Sequence, residues 1–125
     1  MKVKIYVYIH TIFCTAGHRN IIGKPERMKQ LLQEAFQFYN CELYEVSGTS
    51  NHVHLLHSAN PEMCTDELLK KIKLASQTRY QREIDPDFFW EPGYYVFSIS
   101  GEDLEAEKIN LLKQGNLHRK ISLDS

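Results

Sequence analysis

Two short apolar runs, Cys41 to Ser47 and His52 to Ser58, are joined by the polar stretch Ser47-Gly48-Thr49-Ser50-Asn51. Small hydroxyl residues, a glycine and an asparagine favour a tight reversal, because each tolerates or stabilises turn backbone. A chain that reverses over so few residues lays its two flanks antiparallel. The hairpin is bracketed by two stretches of helical period, which confines the chain to a small set of α+β plans and excludes an all-helical bundle.

The first bracket is Glu26 to Tyr39, where Met28, Leu31, Leu32, Ala35, Phe36 and Tyr39 recur at helical spacing. Pro25 suits the first turn of this helix and Asn40 its end. The second runs from Thr65, taken as N-cap ahead of Asp66 and Glu67, to about Glu83. Its inward stripe is Leu68, Leu69, Ile72, Ala75 or Ser76, and Tyr80. Before these, Lys2 to His10 alternates as a strand, with Val3, Ile5, Val7 and Ile9 on one face and Lys4, Tyr6, Tyr8 and His10 on the other. Residues 14–25 read as a loop. After Asp85-Pro86-Asp87 and Pro92-Gly93, Tyr94 to Ile99 reads as a fourth strand. A last helix is expected from Ser100 or Gly101 to about Gln114, and a tail over 116–125 that is loose or docked on a partner.

The order strand, helix, strand, strand, helix, strand, helix gives a single domain over 1–125. Its expected class is α+β, a ferredoxin-like antiparallel four-stranded sheet with helices on one face plus a C-terminal helix. The 125 residues supply one core. No apolar run reaches membrane-spanning length, and the alternating N-terminus is unlike a signal peptide, so a cytoplasmic location with no membrane partner is expected. Cys14, Cys41 and Cys64 form no CxxC pair and read as reduced thiols. Fifteen Lys and Arg against sixteen Asp and Glu, a net charge of -1, exclude an indiscriminate cationic coat for nucleic acid but not a local basic groove.

The chemistry-bearing feature is Asn51-His52-Val53-His54-Leu55-Leu56. Alternation puts His52 and His54 on one face of a strand, where two imidazoles can share a divalent ion, and turns His57 to the other. The alternative for an isolated HxH is one solvent-exposed ring and one hydrogen-bonded core ring. A metal needs a further donor, and Gln114 and His118 are the candidates. Asn110 lies four residues before Gln114, on the same helix face; read alone, both are surface amides. Lys70, Lys71, Lys73, Arg79 and Arg82 give the second helix a basic side, although Asp66, Glu67 and Glu83 can balance it.

Taken together, YIHTIFCTAGHRNIIG, SNHVHLL, LLKKIKLASQTRY, FWEPGYYVFSIS and LEAEKINLLKQGNLHRK resemble the IS200-like, single-tyrosine transposases of the HUH nuclease superfamily, along nearly the whole chain. These mobilise insertion sequences as single-stranded DNA, and some relatives are associated with repetitive extragenic palindromes. HVH alone is a weak signal; its spacing from FWxxGYxxFSIS and KQxxxHRK is a strong one.

The resemblance implies that His52, His54 and Gln114 hold one divalent metal, Mg or Mn, which polarises the scissile phosphate. It implies a homodimer that binds hairpin or single-stranded DNA, with Lys4, Arg19, Lys70, Lys73, Arg79 and Arg119 as phosphate contacts. The family's tyrosine nucleophile precedes the ligand Gln by one helical turn, and that position is Asn110 here. An amide cannot form a phosphotyrosine. Asn51 also replaces the family's acidic residue before the first histidine, and Leu117 one of two histidines near the tail. Three readings follow: a metal-dependent transposase impaired at Asn110, a catalytically silent hairpin-DNA-binding protein, and a drifted dimeric protein without nucleic-acid function.

Overall fold

The computed structural model describes residues 8–99. Strand β1 (Tyr8–Cys14) is followed by a short 3-10 turn (Ala16–His18), helix α1 (Pro25–Phe38), strands β2 (Leu43–Gly48) and β3 (His52–Ser58), helix α2 (Thr65–Glu83) and strand β4 (Tyr95–Ile99). The sheet order is β2-β3-β1-β4, and every neighbouring pair is antiparallel. This is the α+β, four-stranded plan expected from the order of periodicities. The expected last helix and tail, with Asn110, Gln114, Arg119 and Lys4, lie outside the described residues.

Alternation decides what each sheet face meets. Phe13, Val53 and Leu55 join one apolar cluster with Met28, Leu31, Leu32 and Phe36 of α1 and Leu68, Leu69, Ile72 and Tyr80 of α2. Both helices therefore cover that face. Fully burying side chains of this size stabilises by about 1.5–3 kcal/mol each before entropy is counted. The in-between residues, His10, Ile12, His52, His54 and Leu56, take the opposite face.

Several local outcomes differ from the sequence expectation. β1 does not stop at His10 but continues to Cys14, because Thr11 and Phe13 carry the Ile9 alternation into the core. Cys64, not Thr65, is the N-cap of α2, and no side chain caps it. Pro25 does open α1. Asn40 ends that helix with φ 56°, and its N–H donates to Gln37 O while that of Cys41 donates to Phe36 O. This is the paired C-terminal closure that asparagine can adopt in place of glycine. On α2, where spacing allowed Ala75 or Ser76 on the inward stripe, Ser76 is the fully buried one, as one of the two alternatives had it. The Trp90 indole N–H donates to Ser76 Oγ at 3.0 Å, and that hydroxyl donates to Ile72 O at 2.9 Å.

Candidate metal and DNA site

The β2–β3 hairpin sets the geometry of the histidines. Gly48 stands opposite Val53, and the Thr49 N–H donates to His52 O at 2.9 Å. A Cβ on Gly48 would sit 2.3 Å from His52 O and 2.9 Å from Val53 Cα. Both are backbone atoms, so only glycine allows the two strands to approach so closely here. Gly48→Ala is expected to cost about 1–3 kcal/mol, of the order of other overpacking substitutions, and to displace His52. A thermal melt, with the His52 ring resonances followed by NMR, checks both effects.

His52 and His54 lie on the sheet face away from α1 and α2, with ring centroids 5.0 Å apart. Both are nearly buried. The Nδ1 of His52 is 2.8 Å from Asn51 Oδ1 and 2.9 Å from Thr49 Oγ1. The Thr49 hydroxyl itself donates to Asn51 Oδ1, and Asn51 Nδ2 donates to His18 O. The amide is thus turned with its oxygen toward the ring, which makes His52 Nδ1 the protonated nitrogen and puts the ring's lone pair on Nε2. Asn51 thus supplies the ring with a neutral acceptor.

A third ring on this face comes from β1. His10 Nε2 lies 3.0 Å from His54 Nδ1, and its ring centroid is 5.5 Å from that of Phe97. Burial pushes the His10 pKa down to about 4, so this ring is neutral at physiological pH. Sequence reasoning did not single out His10, although its parity on β1 already placed it opposite Ile9. The strand register, with Ile12 beside His54, was the missing information.

Two imidazoles, each engaged at Nδ1, fit as half of a divalent-metal site. Among the described residues no group of three or more His, Cys, Asp or Glu converges on a common point. The described part therefore supplies two donors and needs one from elsewhere. His57 is on the helix-covered face as expected, bonded to Thr11 Oγ1 at 2.7 Å and to Ser58 O at 2.9 Å.

The basic residues divide. Arg19 is exposed in the turn after β1, and that turn is tied to the histidine strand. Thr15 Oγ1 donates to Arg19 O, the Thr15 N–H donates to Asn51 O, and Ser50 Oγ donates to Asn20 Oδ1. Lys70 pairs with Asp66 at 3.0 Å, and Arg79 pairs with Glu34 and Glu83. These two lie in the helix layer, across the sheet from His52 and His54. Lys73, half-buried above the Phe13 ring, donates to the carbonyls of Glu91 and Gly93 and pins the loop before β4 to α2. Of the described basic residues named from sequence, Arg19 sits in the turn tied to the start of the histidine strand, and Lys73 reaches that end of the sheet from the helix-covered face.

Residues 3–110 match the family model described as "Transposase IS200 like". The chain belongs to the IS200-like transposase family. A curated family relative, the ISDra2 transposase TnpA of Deinococcus radiodurans, is 26% identical, with 79% of each chain covered. Among solved structures, a Deinococcus radiodurans R1 protein assigned as a transposase superposes with a TM-score of 0.72 at 22% identity, over 90% of this chain and 94% of that one. A REP-associated tyrosine transposase bound to a REP hairpin superposes with a TM-score of 0.61 at 10% identity, over 89% of this chain and 69% of that one. Both likenesses agree with the fold. The histidine pair, on the sheet face away from α1 and α2, is this IS200-like transposase's candidate site.

Proposed function

We propose that this IS200-like transposase family member binds hairpin DNA with single-stranded flanks as a homodimer. It holds one Mg or Mn ion with His52, His54 and Gln114, and it lacks the nucleophile for strand cleavage because Asn110 stands in the tyrosine's place. The observation that carries this reading is the pair of β3 imidazoles on one sheet face, each fixed at Nδ1 by a neighbour. The family membership and the hairpin bound to the REP-associated relative support the choice of DNA ligand. When bound, the ion would polarise a phosphodiester oxygen and stabilise a departing 3′-oxygen. The protein's own part is to present two preset nitrogens, to exclude bulk water around two nearly buried rings, and to guide the phosphate backbone past Arg19. A DNA ligand is in keeping with a cytoplasmic location. No described helix is long and apolar enough to cross a membrane.

Electrophoretic mobility shift with a hairpin oligonucleotide, against an unstructured strand of equal length, tests the binding. A shift that prefers the hairpin and weakens in Arg19→Ala is expected. No shift at micromolar protein would favour the drifted dimeric reading. Two neutral imidazoles and an amide add no charge to offset the cation's dehydration, so manganese should bind more tightly once DNA phosphate is present. Sedimentation at micromolar concentration is expected to give a dimer, and a monomer would remove the two-fold assembly from the proposal.

A further inference from the structure

We propose that His10 is a positioning residue for the metal centre: its Nε2 accepts the Nδ1 proton of His54 and so holds His54 with Nε2 as the ligating nitrogen. This inference rests on the metal reading of the histidine pair given above.

A neutral imidazole carries one N–H and one lone pair, on different nitrogens. A ring that ligates through Nε2 carries its proton on Nδ1 and needs an acceptor there, which fixes its tautomer and orientation. For His52 that acceptor is Asn51 Oδ1 at 2.8 Å. For His54 the atom in the same relation is His10 Nε2 at 3.0 Å. His10 comes from β1, 44 residues away in the chain, so the site takes one acceptor from its own hairpin and one from the neighbouring strand.

The placement argues for support rather than ligation. His10 approaches His54 from its Nδ1 edge, opposite the nitrogen that would face an ion. The three histidines do not converge as a cluster able to hold a metal. The His10 ring is itself steadied by Phe97 of β4, with centroids 5.5 Å apart, and by the His54 ring at 5.2 Å. The device therefore spans β3, β1 and β4, and links the rigidity of the sheet to the aim of one ligand.

Histidine-selective long-range 1H–15N NMR on the metal-free full chain reads the tautomer directly. His54 is expected mainly as Nδ1–H, with loss of that preference in His10→Leu. His10→Gln places an amide oxygen near the former Nε2 and should retain it. Mn(II) titration followed by EPR, with the hairpin oligonucleotide present and a DNA-only blank subtracted, should show His10→Leu weakened about 10- to 100-fold. His10→Gln should stay close to the unsubstituted chain. A His54 ring protonated at Nε2, or equal Mn(II) binding in His10→Leu, would overturn the role of His10. Equal weakening in His10→Leu and His10→Gln would reduce it to packing and overturn it too. His54→Ala separates the two levels: if it binds Mn(II) as well as the unsubstituted chain, the metal reading itself fails.

Discussion

Incubated with a 3′-labelled hairpin oligonucleotide and Mn(II), the chain is expected to form no covalent DNA–protein adduct, whereas Asn110→Tyr is expected to form one. Covalent transfer between two DNA ends needs a protein oxygen that can carry the phosphoryl group between steps. An asparagine amide supplies none at useful rates. Loss of a nucleophile from an otherwise intact hydrolase site costs about a millionfold, so the contrast should be all-or-none on a denaturing gel. A metal-activated water could still give slow cleavage without adduct, visible as a shortened, protein-free fragment.

The described tyrosines bear on the opposite outcome. Tyr80 is fully buried, and its hydroxyl accepts the Lys24 N–H at 2.9 Å. Tyr94 is hydrogen-bonded to Asp66, and burial together with that carboxylate pushes its pKa up to about 12. Both are poorly suited to attack a phosphate. Tyr95 is different: Ile12 pairs with His54 on one side and with Tyr95 on the other, so Tyr95 lies on the histidine face two strands away. An adduct from the unsubstituted chain that disappears in Tyr95→Phe would move the nucleophile there and overturn the assignment to position 110. If Asn110→Tyr gives no adduct, hairpin binding without chemistry remains.

Much of this was legible in the residues. The Ser47–Asn51 turn between two stretches of helical period pointed to the β2–β3 hairpin, and β3 and α2 fall where alternation and helical spacing put them. Local pattern was weakest where long-range pairing decides. The extension of β1 to Cys14 depends on β3 and β4 offering partners to Thr11, Ile12 and Phe13. Helical spacing left Ala75 or Ser76 open for the inward stripe, and the Trp90 indole, from a loop fourteen residues on, is what places Ser76 there. In the site, HVH identified two rings by spacing alone, but the partners that set their tautomers are one neighbour in sequence, Asn51, and one neighbour only in register, His10. The basic side of α2 shows the converse. Lys70, Lys73 and Arg79 read as phosphate contacts, yet their folded partners are Asp66, two backbone carbonyls, and Glu34 with Glu83.

Between about pH 6.5 and 4 the protein is expected to lose stability, with His57 and His10 among the contributors. His57 is fully buried against Phe36, ring centroids 4.6 Å apart. Its Nδ1–H donates to Ser58 O, so Nε2 accepts the Thr11 hydroxyl, and the neutral ring is satisfied at both nitrogens. Burial is the main cause that lowers its pKa from 6.5 to about 4, and burial does the same for His10. As pH falls, the unfolded chain binds these protons first, so stability is complete above about pH 6.5 and declines until the folded-state pKa is reached. A tenfold difference in proton affinity between the folded and unfolded chain is worth about 1.4 kcal/mol, so each ring contributes on the order of 3 kcal/mol. Two such losses are comparable with the total of about 5–15 kcal/mol typical of a domain. The double variant Thr11→Val/His57→Leu removes one titrating ring together with its hydroxyl partner, leaving no orphaned donor on that side of the core. It should match the unsubstituted protein within about 1 kcal/mol at pH 7, since replacing both partners of a buried bond by apolar groups is close to neutral. At pH 4.5 it should be the more stable of the two by about 2–3 kcal/mol. Urea midpoints across this range, compared between the two proteins, cancel the carboxylate contributions common to both. Parallel stability curves from pH 7 to pH 4.5 would mean that His57 is protonated as readily in the folded protein as in the unfolded chain, and that the core admits the charge at no cost.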